Sequence, residues 1–252
     1  MKSKSAFIIL ITFLLYFLNQ VFLLKPSFFY SSITLGGLLI ILLTRNIVKS
    51  FRKHGWLVWL ITPILFWFSA SLYSTIVISS FWIQIIFLVI AWFMYSYFNN
   101  LSNYLPNKTP ERNKKFDNLV LSGGVLICVT SGASLYGLTS FISWSTSFLL
   151  LLFVPIAILL FFQFAPLRKN FWQENKYLLP INILLLLELA IVLSFLPLNF
   201  NLLGFVLAIG YYFLLSVMRF RWQERLEYRN IKRLVILMVV IVLILFLSTR
   251  WL

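Results

Sequence analysis

The chain has 252 residues, 62% of them hydrophobic and only 11% charged, whereas about a quarter of residues are charged in a soluble domain. Its uncharged runs far exceed the roughly 20 residues of one helical crossing and are continuous rather than alternating, which excludes a soluble domain and barrel strands alike. An excess of 21 Lys and Arg over 6 Asp and Glu would fit nucleic-acid binding in a soluble protein, but in a membrane chain it reads as topogenic charge, with no nucleic-acid partner expected.

In chain order, Lys2 and Lys4 precede an apolar run from Ala6 with no small-residue cleavage site after it, so a retained first span is expected over 6–24. A turn at Lys25-Pro26 leads to a second span, 28–44, and then to a basic segment with Arg45, Lys49, Arg52, Lys53 and the single histidine, His54. Residues 56–98 carry no charge and divide into spans 56–78 and 81–98 around Ser79-Ser80. The longest polar loop is expected at 99–118, with Lys108, Arg112, Lys114 and Lys115. Spans 119–139 and 147–166 follow, then Arg168, Lys169 and Lys176, then spans 178–197 and 201–218 joined by a turn at 197–201. A dense charged segment, 219–233, precedes the last span, 234–249.

The predicted fold is therefore all-α: a polytopic membrane helical bundle of nine transmembrane helices, as four hairpins plus a C-terminal helix, within one integral membrane domain. With the N-terminus inside and the C-terminus outside, every Lys and Arg except Lys25 and Arg250 falls on the inner side. That asymmetry is the positive-inside signature and points to a cytoplasmic-type membrane.

Several chemistries lack their residues. One cysteine, Cys128, rules out an intrachain disulfide, and one cysteine with one histidine removes the usual zinc, haem and copper ligand sets, so no metal or cofactor is expected. The outer turns hold no Asp, Glu, His or Cys, which argues against transfer of lipid-linked sugars on that side. The segment 131–134 offers Ser131 and Ser134, but without a base to take the proton a serine nucleophile has no mechanism.

What stands out is Glu188, the single acid within the nine expected spans, at the middle of 178–197. A carboxylate there costs several kcal/mol, about 3 on insertion scales, so an intramembrane acid calls for a partner. Its neighbours at i±3, i±4 and i±7 are Ile181, Leu184, Leu185, Ile191, Val192 and Phe195, all apolar. A neutral carboxyl is therefore expected unless a cation approaches. The partners expected by depth are Thr130 and Ser131 on the fifth span, Tyr211 and Tyr212 on the eighth, and Tyr16 on the first. Gly124, Cys128 and Gly132, with Ala133 and Gly137 beside them, form small-residue stripes on that fifth span that would let two helices approach closely or oppose Glu188.

The remaining polar features lie near span ends: Asn19-Gln20, Gln84 and Gln163, with Pro63 and Pro155 inside helices as kinks. In 219–233, Arg221, Arg225, Arg229 and Arg233 would share one face of a continuous helix, expected either to bind anionic lipid headgroups or only to orient the flanking spans. The last span is apolar until Ser248 and reads as a peripheral anchor or oligomerisation surface.

Three functions remain in view. The first is a small transporter-like or lipid-handling protein with Glu188 as proton or ligand site. The second is a non-catalytic membrane subunit or assembly partner, bound to another membrane protein or to copies of itself, with Glu188 as interhelical hydrogen-bond glue. The third, an inner-face lipid-headgroup enzyme, would have to use Glu111, Asp117, Glu174, Glu224 or Glu227, whose spacing matches no catalytic pair.

Overall fold

The computed structural model describes residues 2–49, 56–106, 109–142, 145–167, 171–222 and 227–248. Among them the chain forms ten α-helices and no strand: α1 (Lys2–Leu24), α2 (Phe29–Lys49), α3 (Trp56–Ser74), α4 (Ser80–Tyr104), α5 (Pro110–Ile142), α6 (Thr146–Phe162), α7 (Phe171–Asn175), α8 (Leu178–Ser194), α9 (Phe200–Trp222) and α10 (Tyr228–Ser248). Six segments are helical, long and apolar enough to cross a membrane: Ala6–Leu24, Pro26–Lys49, Trp56–Ser74, Ser80–Tyr104, Arg112–Phe141 and Phe200–Trp222. Shorter apolar helices run over Leu151–Leu167 and Leu178–Ser194. This all-helical, apolar architecture is compatible with an integral membrane protein.

Two expectations change in detail. The stretch 99–118 is mostly helix rather than loop, because α4 runs on to Tyr104 and α5 begins at Pro110. Proline suits a first helical turn, where its missing N–H would have no partner anyway. Thr109 Oγ1 accepts the Arg112 N–H at 3.4 Å, and the Arg112 guanidinium donates to the Asn103 carbonyl at 3.2 Å, tying the two helices across the short turn. At the other change, α8 stops at Ser194, short of 197. The Phe195 and Leu196 N–H groups bond back three residues to Val192 and Leu193, tightening the last turn before Pro197, whose ring disfavours helix at the residue before it.

The chain divides into two compact units, 1–127 with 162–169 and 128–161 with 170–252. In the first, α1 packs on α2 and α4, and α3 packs on α2 and α4. Helices packed among lipid tails as apolar as leucine rely on close fit and interhelical hydrogen bonds rather than on hydrophobic burial. Both are present. Gly36 on α2 leaves the space that the buried Trp67 indole of α3 occupies, and Trp67 Nε1–H donates to the Ile33 carbonyl at 3.2 Å. The amides of Gln20 on α1 and Gln84 on α4 exchange two hydrogen bonds of 2.7 and 3.1 Å.

Pro63 explains a further bond. It sits inside α3 and has no N–H for the Trp59 carbonyl four residues back. The Tyr97 hydroxyl of α4 supplies the missing donor at 2.8 Å. Around this point Trp59, Tyr97, Tyr104 and Phe116 form one aromatic cluster, with Tyr104 and Phe116 stacked at 5.0 Å.

The second unit is arranged around α9, which packs on α8 and α10. Gly204 of α9 meets α5 so closely that an added Cβ would lie 2.7 Å from the Ala133 nitrogen and the Val129 oxygen, and one on Gly132 would lie 3.2 Å from the Gly204 Cα. The small-residue stripe of α5 is thus used for backbone approach. Tyr211 of α9 donates to the Leu160 carbonyl at 3.0 Å, near the end of α6, where carbonyls lack helical partners. Tyr136 of α5 donates to the Ala190 carbonyl of α8 at 2.8 Å. None of the described α10 side chains is buried, and Val235, Ile236, Leu237, Val239 and Val240 are all exposed.

Candidate functional site

Helix α8 has two unlike faces, although almost every side chain on it is apolar. Asn182, Leu186, Ala190 and Leu193, at helical spacing, are buried. Ile181, Leu184, Leu185, Val192 and Phe195 are exposed, and Glu188 is exposed among them. These are its i−7, i−4, i−3, i+4 and i+7 neighbours, so the carboxyl lies at the centre of an open apolar face. Among the described residues no hydrogen bond or ion pair reaches it.

The hydroxyls expected to face it are engaged elsewhere. Ser131 is 2% exposed and donates to the Cys128 carbonyl at 3.5 Å, and Thr130 is also buried, its own carbonyl accepting from Ser134 Oγ at 2.6 Å. Tyr211 is fully buried and bonded to α6, while Tyr212 is half-buried on the same helix. Tyr16, in the first unit, donates to Gln84 Oε1 at 3.5 Å. No hydrogen bond joins any of these to Glu188.

No known protein family, curated protein or solved structure matches this chain. The site must therefore be judged on its own geometry. Among the described residues, no three His, Cys, Asp or Glu side chains are grouped closely enough to hold a metal ion. Of the acids considered for headgroup chemistry, Glu174 and Glu227 are exposed, Asp117 is half-buried on α5, Glu224 lies outside the described residues, and nothing is described of the Glu111 side chain.

Of the arginines, Arg221 is exposed in the last turn of α9, and Arg229 and Arg233 are exposed in the first turns of α10. Arg225 lies outside the described residues. Because Glu227 falls outside helix, Arg221 belongs to one helix and Arg229 and Arg233 to another.

Two polar residues escaped the sequence reading. Asn182 lies on the buried face of α8, 6% exposed, and its Nδ2 has no hydrogen-bond partner in the protein. Asn175, at the end of α7, is 1% exposed; its Nδ2 donates to the Phe171 carbonyl at 2.7 Å, and its Oδ1 accepts the Trp222 Nε1–H of α9 at 2.9 Å. The available signal was a lone amide beside an apolar run, the pattern already noted at Gln84 and Gln163. Gln163 proves to accept a 3.0 Å bond from Thr62, next to Pro63.

Proposed function

We propose that this protein is a non-catalytic subunit of a membrane assembly, and that it holds a partner's transmembrane helix against the Glu188 face of α8. The observation that carries the reading is the exposed, unpartnered carboxyl ringed by five exposed apolar side chains. Facing lipid, such a group costs about 3 kcal/mol. A hydrogen-bond donor or cation on a partner helix removes that cost, and the surrounding leucines, valine and phenylalanine supply a contact surface. Carboxyl oxygens accept hydrogen bonds, so the group pairs with a hydroxyl or an amide on the partner helix.

The threading that goes with this proposal is nine crossings, by α1 to α6 and α8 to α10, with the N-terminus inside and the C-terminus outside. It is supported by the charge distribution, which leaves only Lys25 and Arg250 on the outer side. Helix α8, like α6, has 17 residues, the fewest of the nine, or about 25 Å against a hydrocarbon core of about 30 Å. A short helix is accommodated by local thinning or by association with a neighbour.

The test is partner retention after mild detergent extraction. Glu188→Gln keeps a hydrogen-bonding group and is expected to retain the partner, whereas Glu188→Leu is expected to lose about tenfold in association, the worth of one interhelical hydrogen bond. A cysteine replacing Leu184 in a Cys128→Ser background locates the contact, and crosslinking between two copies would make the partner a second copy of this chain. Equal retention by the Gln and Leu variants would sink the proposal. Loss of biological effect in both, with the partner still bound, would instead favour proton or ligand handling by Glu188.

A further inference from the structure

We propose that the hollow between α7 and the start of α8 is a seat for one anionic phospholipid. The hollow has a volume of about 350 Å³ and is lined by Phe171, Trp172, Gln173, Asn175, Lys176 and Leu179. That size falls in the range of small-molecule sites and suits a phosphate with its glycerol.

Its lining is graded. Phe171 and Leu179 are apolar and give acyl chains a surface within the hollow itself. Lys176 supplies a cation at the rim, its Nζ 5.6 Å from the centre of the Tyr177 ring. Trp172 and Tyr177, 60% and 74% exposed, flank it as aromatic rings of the kind that sit at headgroup level. Glu174, the one acid of α7, is not among the lining residues.

The floor of the hollow is held in place from α9. Asn175 accepts the Trp222 indole N–H at 2.9 Å, and the Phe171 and Trp222 rings lie 6.2 Å apart. This bond ties α7 to the end of α9, where Arg219 and Arg221 occupy the last turn. Lys176 thus sets a cation beside an apolar trough, and the occupant that satisfies both is a lipid with a negatively charged headgroup.

The probe is phosphatidylglycerol mixed with phosphatidylcholine in vesicles, and the readout is the lipid still bound to the extracted full-length protein by native mass spectrometry. The wild type is expected to retain phosphatidylglycerol in preference, and Lys176→Glu to reduce that preference by roughly tenfold. Leu179→Trp, which fills the hollow and leaves the charge, is expected to abolish it. Lys232→Glu, exposed on α10 and outside the hollow, is expected to leave it unchanged.

Persistence of the preference in Lys176→Glu or in Leu179→Trp would overturn the proposal. So would an equal loss in Lys232→Glu, since attraction would then be diffuse, and so would displacement of the lipid by soluble glycerol phosphate. Because Lys176 is exposed and Leu179 only half-buried, melting temperatures close to the wild type are expected for all three variants.

Discussion

Tyr97 and Pro63 illustrate how a single residue can require another several turns away. Proline removes the N–H that the Trp59 carbonyl would otherwise accept, and in a membrane no water stands ready to replace it. The Tyr97 hydroxyl does so at 2.8 Å. Tyr97→Phe is expected to cost about 1 kcal/mol in a Pro63 background, the usual net worth of a hydrogen bond. In a Pro63→Ala background the helix can satisfy its own carbonyl, so the same change is expected to be nearly silent. A double-mutant cycle read by denaturant unfolding in detergent checks this, and additive costs would refute it.

The adjacent glycines of α2 make a second contrast at the same scale. A methyl on Gly36 would fall on the Trp67 indole, a rigid and fully buried ring, whereas one on Gly37 would lie 3.6 Å from the mobile end of Ile64. Gly36→Ala is expected to destabilise by about 1–3 kcal/mol through overpacking. Gly37→Ala is expected to be neutral or slightly stabilising by helix propensity. Thermal unfolding of the two variants side by side distinguishes them. Neither Tyr97 nor Gly36 could be singled out from sequence, because nothing there says which hydroxyl reaches the Trp59 carbonyl or which glycine meets a ring.

At the scale of elements, α8 matters most. Helices were legible from the uncharged runs, since a chain with this much apolar length has few other ways to satisfy its backbone. Which side of α8 packs was not legible, because leucines surround the helix and no polar stripe marks the outer face. The structure buries Asn182, Leu186, Ala190 and Leu193 and leaves Glu188 exposed. One consequence separates docking from internal glue. Since no described residue bonds to Glu188, Glu188→Leu is expected to leave the isolated protein's unfolding midpoint unchanged while weakening partner binding.

The same scale shows why 99–118 read as a loop. Its asparagines and prolines carry turn signals, yet α4 and α5 extend through much of it. A helix keeps its hydrogen-bond ladder where its side chains turn polar, so polarity alone does not mark the helix end. Pro110 marks the start of α5 rather than a break.

For the whole molecule, the proposed threading rests on charge alone and has a direct test. A reporter active only outside the cell is expected to work when fused after Leu252 and to fail when inserted between α4 and α5, near Thr109. The opposite pattern would invert the topology, and equal activity at both sites would mean an even number of crossings between them. In the nine-crossing proposal α7, its hollow and the end of α9 lie at the inner leaflet, where anionic lipids are drawn to basic residues.

By itself the sequence determined composition-level properties: helical class, compatibility with a bilayer, the scarcity of catalytic side chains, and the isolation of one acid within an apolar run. These follow from residue types and their order, because a bilayer acts on each segment separately. Tertiary structure alone decided which hydroxyls cap which carbonyls, which glycines make room for a neighbour, and that the carboxyl of Glu188 lies on an exposed face. Those outcomes depend on helix rotation, and a helix that is apolar on all sides carries no periodic signal of how it is turned.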